Sequence, residues 1–266
     1  MRKQLSSHAA ARGRQCAAAF VLLLTALPVC AELQGTPQPG RTGDADGLHL
    51  ARKLVAQAED LVDHGRADDA LPLLQEAIAL APSWLRPKGV LGLVMQVQGK
   101  QDEAIANYAA MQAGILTGPS EQVNLVSRCC AELMWCVNSE RIKARVRPLK
   151  PHPLLALVAT YHSQDMRDRG FFSHTSPLPG RRTPADRFAE IFGFQPAKVA
   201  ENIASLRSNQ FALTLDNIRR SHQELMASPG HAANILDRDF TDFGIGLAAD
   251  RNGSYWITEM FVRFLR

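Results

Sequence analysis

The sequence predicts an α+β protein in two parts, helical on the N-terminal side and mixed on the C-terminal side, and three observations predict it. First, Gly65-Arg66-Ala67-Asp68-Asp69-Ala70-Leu71 returns as Gly99-Lys100-Gln101-Asp102-Glu103-Ala104-Ile105, an offset of 34 residues. Second, Leu154, Leu157, Val158, Tyr161 and Met166 recur near helical spacing within residues 153–169. Third, Asn252-Gly253 separates two apolar runs, 243–247 and 255–264, which is the sequence signal of a β-hairpin.

The first 31 residues hold Arg2, Lys3, Arg12 and Arg14 and no acid, followed by an apolar run over 16–29 that ends in Val29-Cys30-Ala31. A basic segment, a short apolar segment and small residues at its end are the pattern of a secretory leader. The 14-residue run is short of the ~20 that span a bilayer. Cleavage after Ala31 is expected, with a lipoprotein anchored through Cys30 as the alternative. The whole chain carries a net charge of +4, but removing residues 1–31 leaves 26 basic against 26 acidic residues. The basic excess therefore belongs to export and gives no support to a nucleic-acid partner. No second run is long and clean enough to span a membrane, so an exported protein, periplasmic or extracellular, is expected. Residues 34–47 hold four Gly and two Pro, and residues 32–47 read as a flexible linker.

From Leu48 the repeat sets the organisation. Gly65 and Gly99 suit the end of a first helix, Asp68 and Asp102 the N-cap of a second, and Ala70 and Ala104 a close helix pair. Pro82 stops one helix and Pro87 fits the opening turn of the next. Residues 48–118 resemble two tetratricopeptide repeats, helical hairpins whose groove takes a protein or peptide segment. Residues 119–137 read as a connecting helix covering the last repeat. Cys129 and Cys136 on one helix would lie about 10 Å apart along its axis, too far for a disulfide, so buried thiols are expected at Cys129, Cys130 and Cys136.

In residues 138–266 helices are expected over 139–146, 153–169, 184–192 and 215–227, the last opened by Thr214. A Gly/Pro-rich loop spans 170–183. Five segments stand in order: Ala159-Thr-Tyr-His162-Ser163-Gln-Asp165-Met166; Phe172-Ser173-His174 with Pro184-Ala-Asp186-Arg187; Ala200-Glu201-Asn202-Ile203-Ala204; Ser228-Pro-Gly230-His231-Ala-Ala-Asn234-Ile235-Leu236; and Phe243-Gly244-Ile245-Gly246 with Tyr255-Trp256. Together they resemble the bacterial branch of the CAP superfamily, or SCP domain. The resemblance implies an α-β-α sandwich with a small antiparallel sheet. It also implies a central cavity receiving His174, His231 and Glu201, and a ligand there that is small or lipid-like. The family's second acid lies on the helix before the second histidine. Here Leu225 and Ser228 stand near that place, with Glu224 displaced, and Glu259 stands where bacterial relatives often have glutamine.

Two imidazoles and a carboxylate are a zinc ligand set, so His174 and His231 are candidate metal ligands and Glu201 a ligand or general base. Their separations of 27 and 30 residues, with no His-x-x-x-His pair, make the spacing itself uninformative. Asn202 and Asn234 are expected to tie loops to the backbone around the cavity, and Glu259 is a further candidate binding residue. His162 and Met166, one turn apart, read as packing. The sequence contains no Gly-x-Ser-x-Gly elbow, phosphate loop or dinucleotide fingerprint. Three functions stand open: an envelope binding protein, a metal-dependent hydrolase working through His174, His231 and Glu201, and a scaffold whose cavity is vestigial. Residues 32–137 carry 8 basic and 13 acidic residues, net −5, and residues 138–266 carry 18 and 13, net +5, so the halves are expected to attract.

Overall fold

The computed structural model describes residues 42–208 and 212–265. The expected leader, residues 1–31, lies outside them, as do residues 32–41 of the expected linker. Five helices come first: α1 Thr42–Asp63, α2 Ala67–Leu80, α3 Arg86–Val97, α4 Gln101–Ala113 and α5 Ser120–Lys143. After them run β1 Lys150–Pro151, α6 Pro153–Arg169, α7 Pro184–Phe192, β2 Lys198–Leu206, α8 Leu215–Ala227, α9 Pro229–Leu236, β3 Asp242–Ala249 and β4 Tyr255–Arg263.

Within the first five helices each packs on the next. The turns between α1 and α2 and between α3 and α4 are equivalent, with Gly65 and Gly99 at φ +74° and +77°, where a side chain would be strained. Ala70 and Ala104 are fully buried. The expected aspartate caps are absent: the N-cap positions are Arg66 and Lys100, without side-chain cap bonds, and Asp68 and Asp102 lie inside the first turn. There they favour the helix through its positive N-terminal dipole instead. Helix α1 begins at Thr42, so residues 42–47, expected in the linker, are helical.

The expected boundary at residues 137/138 falls inside α5, which is a single helix of 24 residues. Its apolar positions continue through Val137 and no Gly or Pro interrupts it, so nothing local stops it before Lys143. α5 packs on α4 on one side and on β3, α8 and α9 on the other. One apolar cluster therefore runs from Tyr108, Met111, Cys130 and Val137 to Phe243, Ile245, Ile257 and Phe261. Cys129 and Cys130 are buried free thiols, and Cys136 is half-buried.

The sheet order is β1-β3-β4-β2. β2, β4 and β3 are antiparallel, but the two-residue β1 pairs parallel to β3, so the sheet is mixed where an antiparallel one was expected. Lys150 N–H donates to Thr241 O and His152 N–H to Phe243 O, which seats β1 beside β3 just before Pro153 opens α6. Helices cover both faces. α6 lies so close to β3 that a Cβ on Gly244 would come within 2.1 Å of Ala156 N, and one on Gly246 within 2.0 Å of Thr160 N. Phe243, Ile245 and Leu247, which alternate with those glycines, join the cluster around α4 and α5.

Candidate functional site

β2 is an edge strand, and its alternation decides which candidate residues meet. Glu201 is registered with Met260 of β4, and Asn202 with Glu259. Met260 packs with Leu155, Val158 and Phe188 on the α6 and α7 side, so Glu201 faces that layer and Asn202 and Glu259 face the opposite one.

On the first face Glu201 is buried, with 1% of its side chain exposed. Nδ1–H of His174, from the loop after α6, donates to Glu201 Oε1 at 2.9 Å. Nη2 of Arg187 on α7 donates to Glu201 Oε2. Thr183 and Asp186 form a reciprocal capping box behind Pro184, which fixes the start of α7 and the aim of Arg187. Arg187 also donates to the carbonyls of His174, Arg181 and Arg182 and so pins the loop that carries His174. His162 on α6 is buried. Its Nε2–H donates to Ser173 O at 3.1 Å and lies 3.7 Å from Glu201 Oε1, while its Nδ1 has no partner. Burial lowers the His162 pKa against the opposing pull of Glu201. With Nδ1 held by the carboxylate, His174 presents Nε2 from a side chain 49% exposed.

On the second face Asn202, fully buried, donates to Glu259 Oε2 at 3.1 Å and to His231 O at 3.2 Å, and accepts from Asn234 Nδ2 at 2.9 Å. Glu259 is fully buried with Oε1 unpartnered, and burial pushes its pKa up to about 7, against the Asn202 bond. Glu259 thus supports Asn202 and does not share a face with Glu201. His231 on α9 has its pKa lowered by partial burial and then by the charge of His174, and its carbonyl accepts from Asn202 beside β2. Glu224 is exposed, Leu225 lies in the core, and Ser228 is the N-cap of α9, so α8 adds no further acid.

The expected zinc set of His174, His231 and Glu201 is a poor fit to this arrangement, because Arg187 and His174 occupy both carboxylate oxygens. Among the described residues no three His, Cys, Asp or Glu groups are placed to hold one ion. Two imidazoles remain as metal-ligating groups.

Sequence reasoning assigned no role to Arg187 and read His162 as packing alone. A signal for Arg187 was present, since it falls four residues before Ile191 on a helix whose apolar residues are Phe188, Ile191 and Phe192. His162 carried none beyond its place in a motif.

Five ordered segments, an edge strand bearing Glu201 and a histidine on either side of it agree with one family. Residues 136–262 match the model described as CAP: Cysteine-rich secretory protein family. The C-terminal part of the chain is a CAP domain. Over 161 residues, 60% of the chain, it is 34% identical to the uncharacterized protein YkwD of Bacillus subtilis (strain 168). The chain spans 57% of that relative's length. Among solved structures it is similar to an extracellular protein containing an SCP domain from Bacillus anthracis str. Ames, with 25% identity, a TM-score of 0.44 and coverage of 55% of this chain and 45% of that one. It is also similar to an outer surface protein from Borrelia burgdorferi, with 17% identity, a TM-score of 0.42 and coverage of 50% of this chain and 90% of that one. No helix among the described residues is long and apolar enough to cross a membrane.

Proposed function

We propose that this is an exported binding protein whose CAP domain takes a small polar ligand at the rim formed by His174 and His231. The observation that carries the reading is the Arg187–Glu201–His174 chain, buried at Arg187 and Glu201 and exposed at His174. The carboxylate is paired with a guanidinium through one oxygen and orients His174 with Nε2 outward through the other. Two imidazoles of this kind can donate to or accept from a polar ligand. The space lined by Val158, Tyr161, His162, Arg187 and Ile191, which holds two neighbours of Glu201 but neither His174 nor His231, measures about 10 Å³, room for about one water. Export rests on the leader pattern in residues 1–31. The helix pairs α1/α2 and α3/α4, with their 34-residue repeat, support a tetratricopeptide-like module that docks a protein or peptide segment.

The experiment is native purification of residues 32–266 followed by mass spectrometry of whatever co-purifies, beside His174→Ala/His231→Ala. A small polar compound carried by the parent and lost from the double variant is expected. Its absence from the parent, or retention by the variant, overturns the reading.

A second reading, a hydrolase of the envelope, is favoured by one feature: a histidine held at Nδ1 by a carboxylate presents Nε2 as a base or metal ligand. His174 and His231 would hold the zinc, whose chemistry is to activate a bound water. Calorimetric titration with zinc decides it. Micromolar binding that disappears in the double variant supports the hydrolase, and no binding removes its metal-dependent form.

A further inference from the structure

We propose a second ligand site, for an anion bearing phosphate or carboxylate groups, in the cleft between α1, the start of α3 and the ends of β3 and β4. The cleft has a volume of about 900 Å³, within the range of sites that enclose small organic ligands. It shares no residue with the rim at His174 and His231.

Charge balance carries the inference. Arg52, Arg86, Arg147, Lys150, Arg238 and Arg263 line the cleft, against Glu59, Asp239 and Asp242. Each of the three acids has a cationic partner, Glu59 and Asp242 sharing the one guanidinium of Arg86. Glu59 and Asp242 each lie 2.7 Å from Arg86, and Asp239 lies 2.9 Å from Lys198. Arg147 and Lys150 share Asp63, at 3.5 and 2.9 Å. Arg238 and Arg263 are exposed and have no carboxylate partner among the described residues. Like charges gathered in one cleft repel until a counter-charge enters. The planar fork of arginine matches the paired oxygens of carboxylate and phosphate. Trp84 and Phe264 supply apolar wall, which strengthens the field from those cations and gives an organic ligand surface to pack on.

Because the lining comes from both the helical part and the CAP domain, a ligand here touches both. Arg86 is a structural residue, so the test leaves it in place and removes Arg238 and Arg263, both exposed.

The probes are pyrophosphate and citrate, titrated calorimetrically at low ionic strength, and phosphatidylglycerol against phosphatidylcholine vesicles in flotation. Saturable binding is expected, weakened at least tenfold in Arg238→Ala/Arg263→Ala and unchanged in Arg251→Ala, which lies in the turn between β3 and β4. Binding of the soluble anions names a free phosphate or carboxylate compound as the source. Binding confined to phosphatidylglycerol vesicles names a lipid headgroup, and loss in the double variant upholds the site in either case. No saturable binding of any probe, or undiminished binding by the double variant with its melting temperature intact, overturns it.

Discussion

Nη2 of Arg86 donates to Oδ1 of Asp242 at 2.7 Å, joining the first turn of α3 to the first residue of β3 over 156 residues of sequence. The same guanidinium donates from Nε to Glu59 on α1 at 2.7 Å and from Nη1 to the carbonyl of Pro151 at 3.0 Å. Burial would raise the Asp242 carboxyl; the charges of Arg86, His152 and Lys150 outweigh it and hold the pKa below 3.8. The stabilisation from this depressed carboxyl is complete above that pH and is lost as pH falls through the depressed value. Arg86→Met leaves two carboxylates without their cation and is expected to cost about 3–5 kcal/mol in urea denaturation. Arg86→Met/Asp242→Asn should lose less than the two single changes summed. A cost under about 1 kcal/mol for Arg86→Met would show the pair to be incidental.

The opposite net charges of the two halves suggest docking by long-range attraction, but the join is a continuous apolar cluster through α4, α5, β3 and β4. Each fully buried aliphatic or aromatic side chain there contributes about 1.5–3 kcal/mol, against about 0–1 kcal/mol for an exposed ion pair. Raising salt from about 0.05 to about 1 M, which shortens screening from over 10 Å to about 3 Å, should leave the small-angle scattering profile unchanged. Expansion at high salt would restore the electrostatic account.

Glu201→Gln removes the counter-charge of Arg187 and leaves one acceptor oxygen where His174 and Arg187 now use two. A destabilisation of about 3 kcal/mol is expected, because Arg187 is left buried and unpaired. Pairing it with Arg187→Met should recover most of the loss. If the double variant is no more stable than Glu201→Gln alone, the ion pair is not what the single change disrupts.

His231 should titrate below 6.5 in an NMR pH series, with burial as the larger cause and the charge of His174 as the lesser. His174→Asn is expected to move the midpoint upward without restoring it fully. An unmoved midpoint would mean that the two rings do not share a rim.

Glu259 keeps its proton up to about pH 7 in the folded protein, while its ordinary value is 4.5. The unfolded chain therefore binds fewer protons between those values, and stability falls as pH rises from about 4.5 to 7, by up to roughly 3 kcal/mol from this group. Glu259→Gln keeps an acceptor for Asn202 and cannot ionise. It should raise the melting temperature at about pH 8 and leave it nearly unchanged at about pH 4.5. Equal shifts at both pH values would assign the effect to packing.

Local chemistry was legible in the sequence wherever a signal and its partner lie within a few residues. α6, α7 and α8 have the expected bounds, Thr214 caps α8, and Asn252-Gly253 joins β3 to β4. The five motifs located the CAP domain, and the 34-residue repeat located the turns at Gly65 and Gly99. Three other features depended on pairing between distant segments: the unbroken run of α5 into the CAP domain, the parallel β1, and the separation of Glu201 from its neighbour Asn202 onto opposite faces. A strand shows its faces only once its register is known. Burial of an arginine or glutamate is decided by groups that arrive from far along the chain, and so Arg86, Arg187 and Glu259 acquired their roles only in the tertiary structure. The sequence by itself determined the motifs and the local helix and turn signals; the fold decided that Glu201 orients His174, that Asn202 bonds the His231 carbonyl, and that Glu201 and Glu259 lie on opposite faces of the sheet.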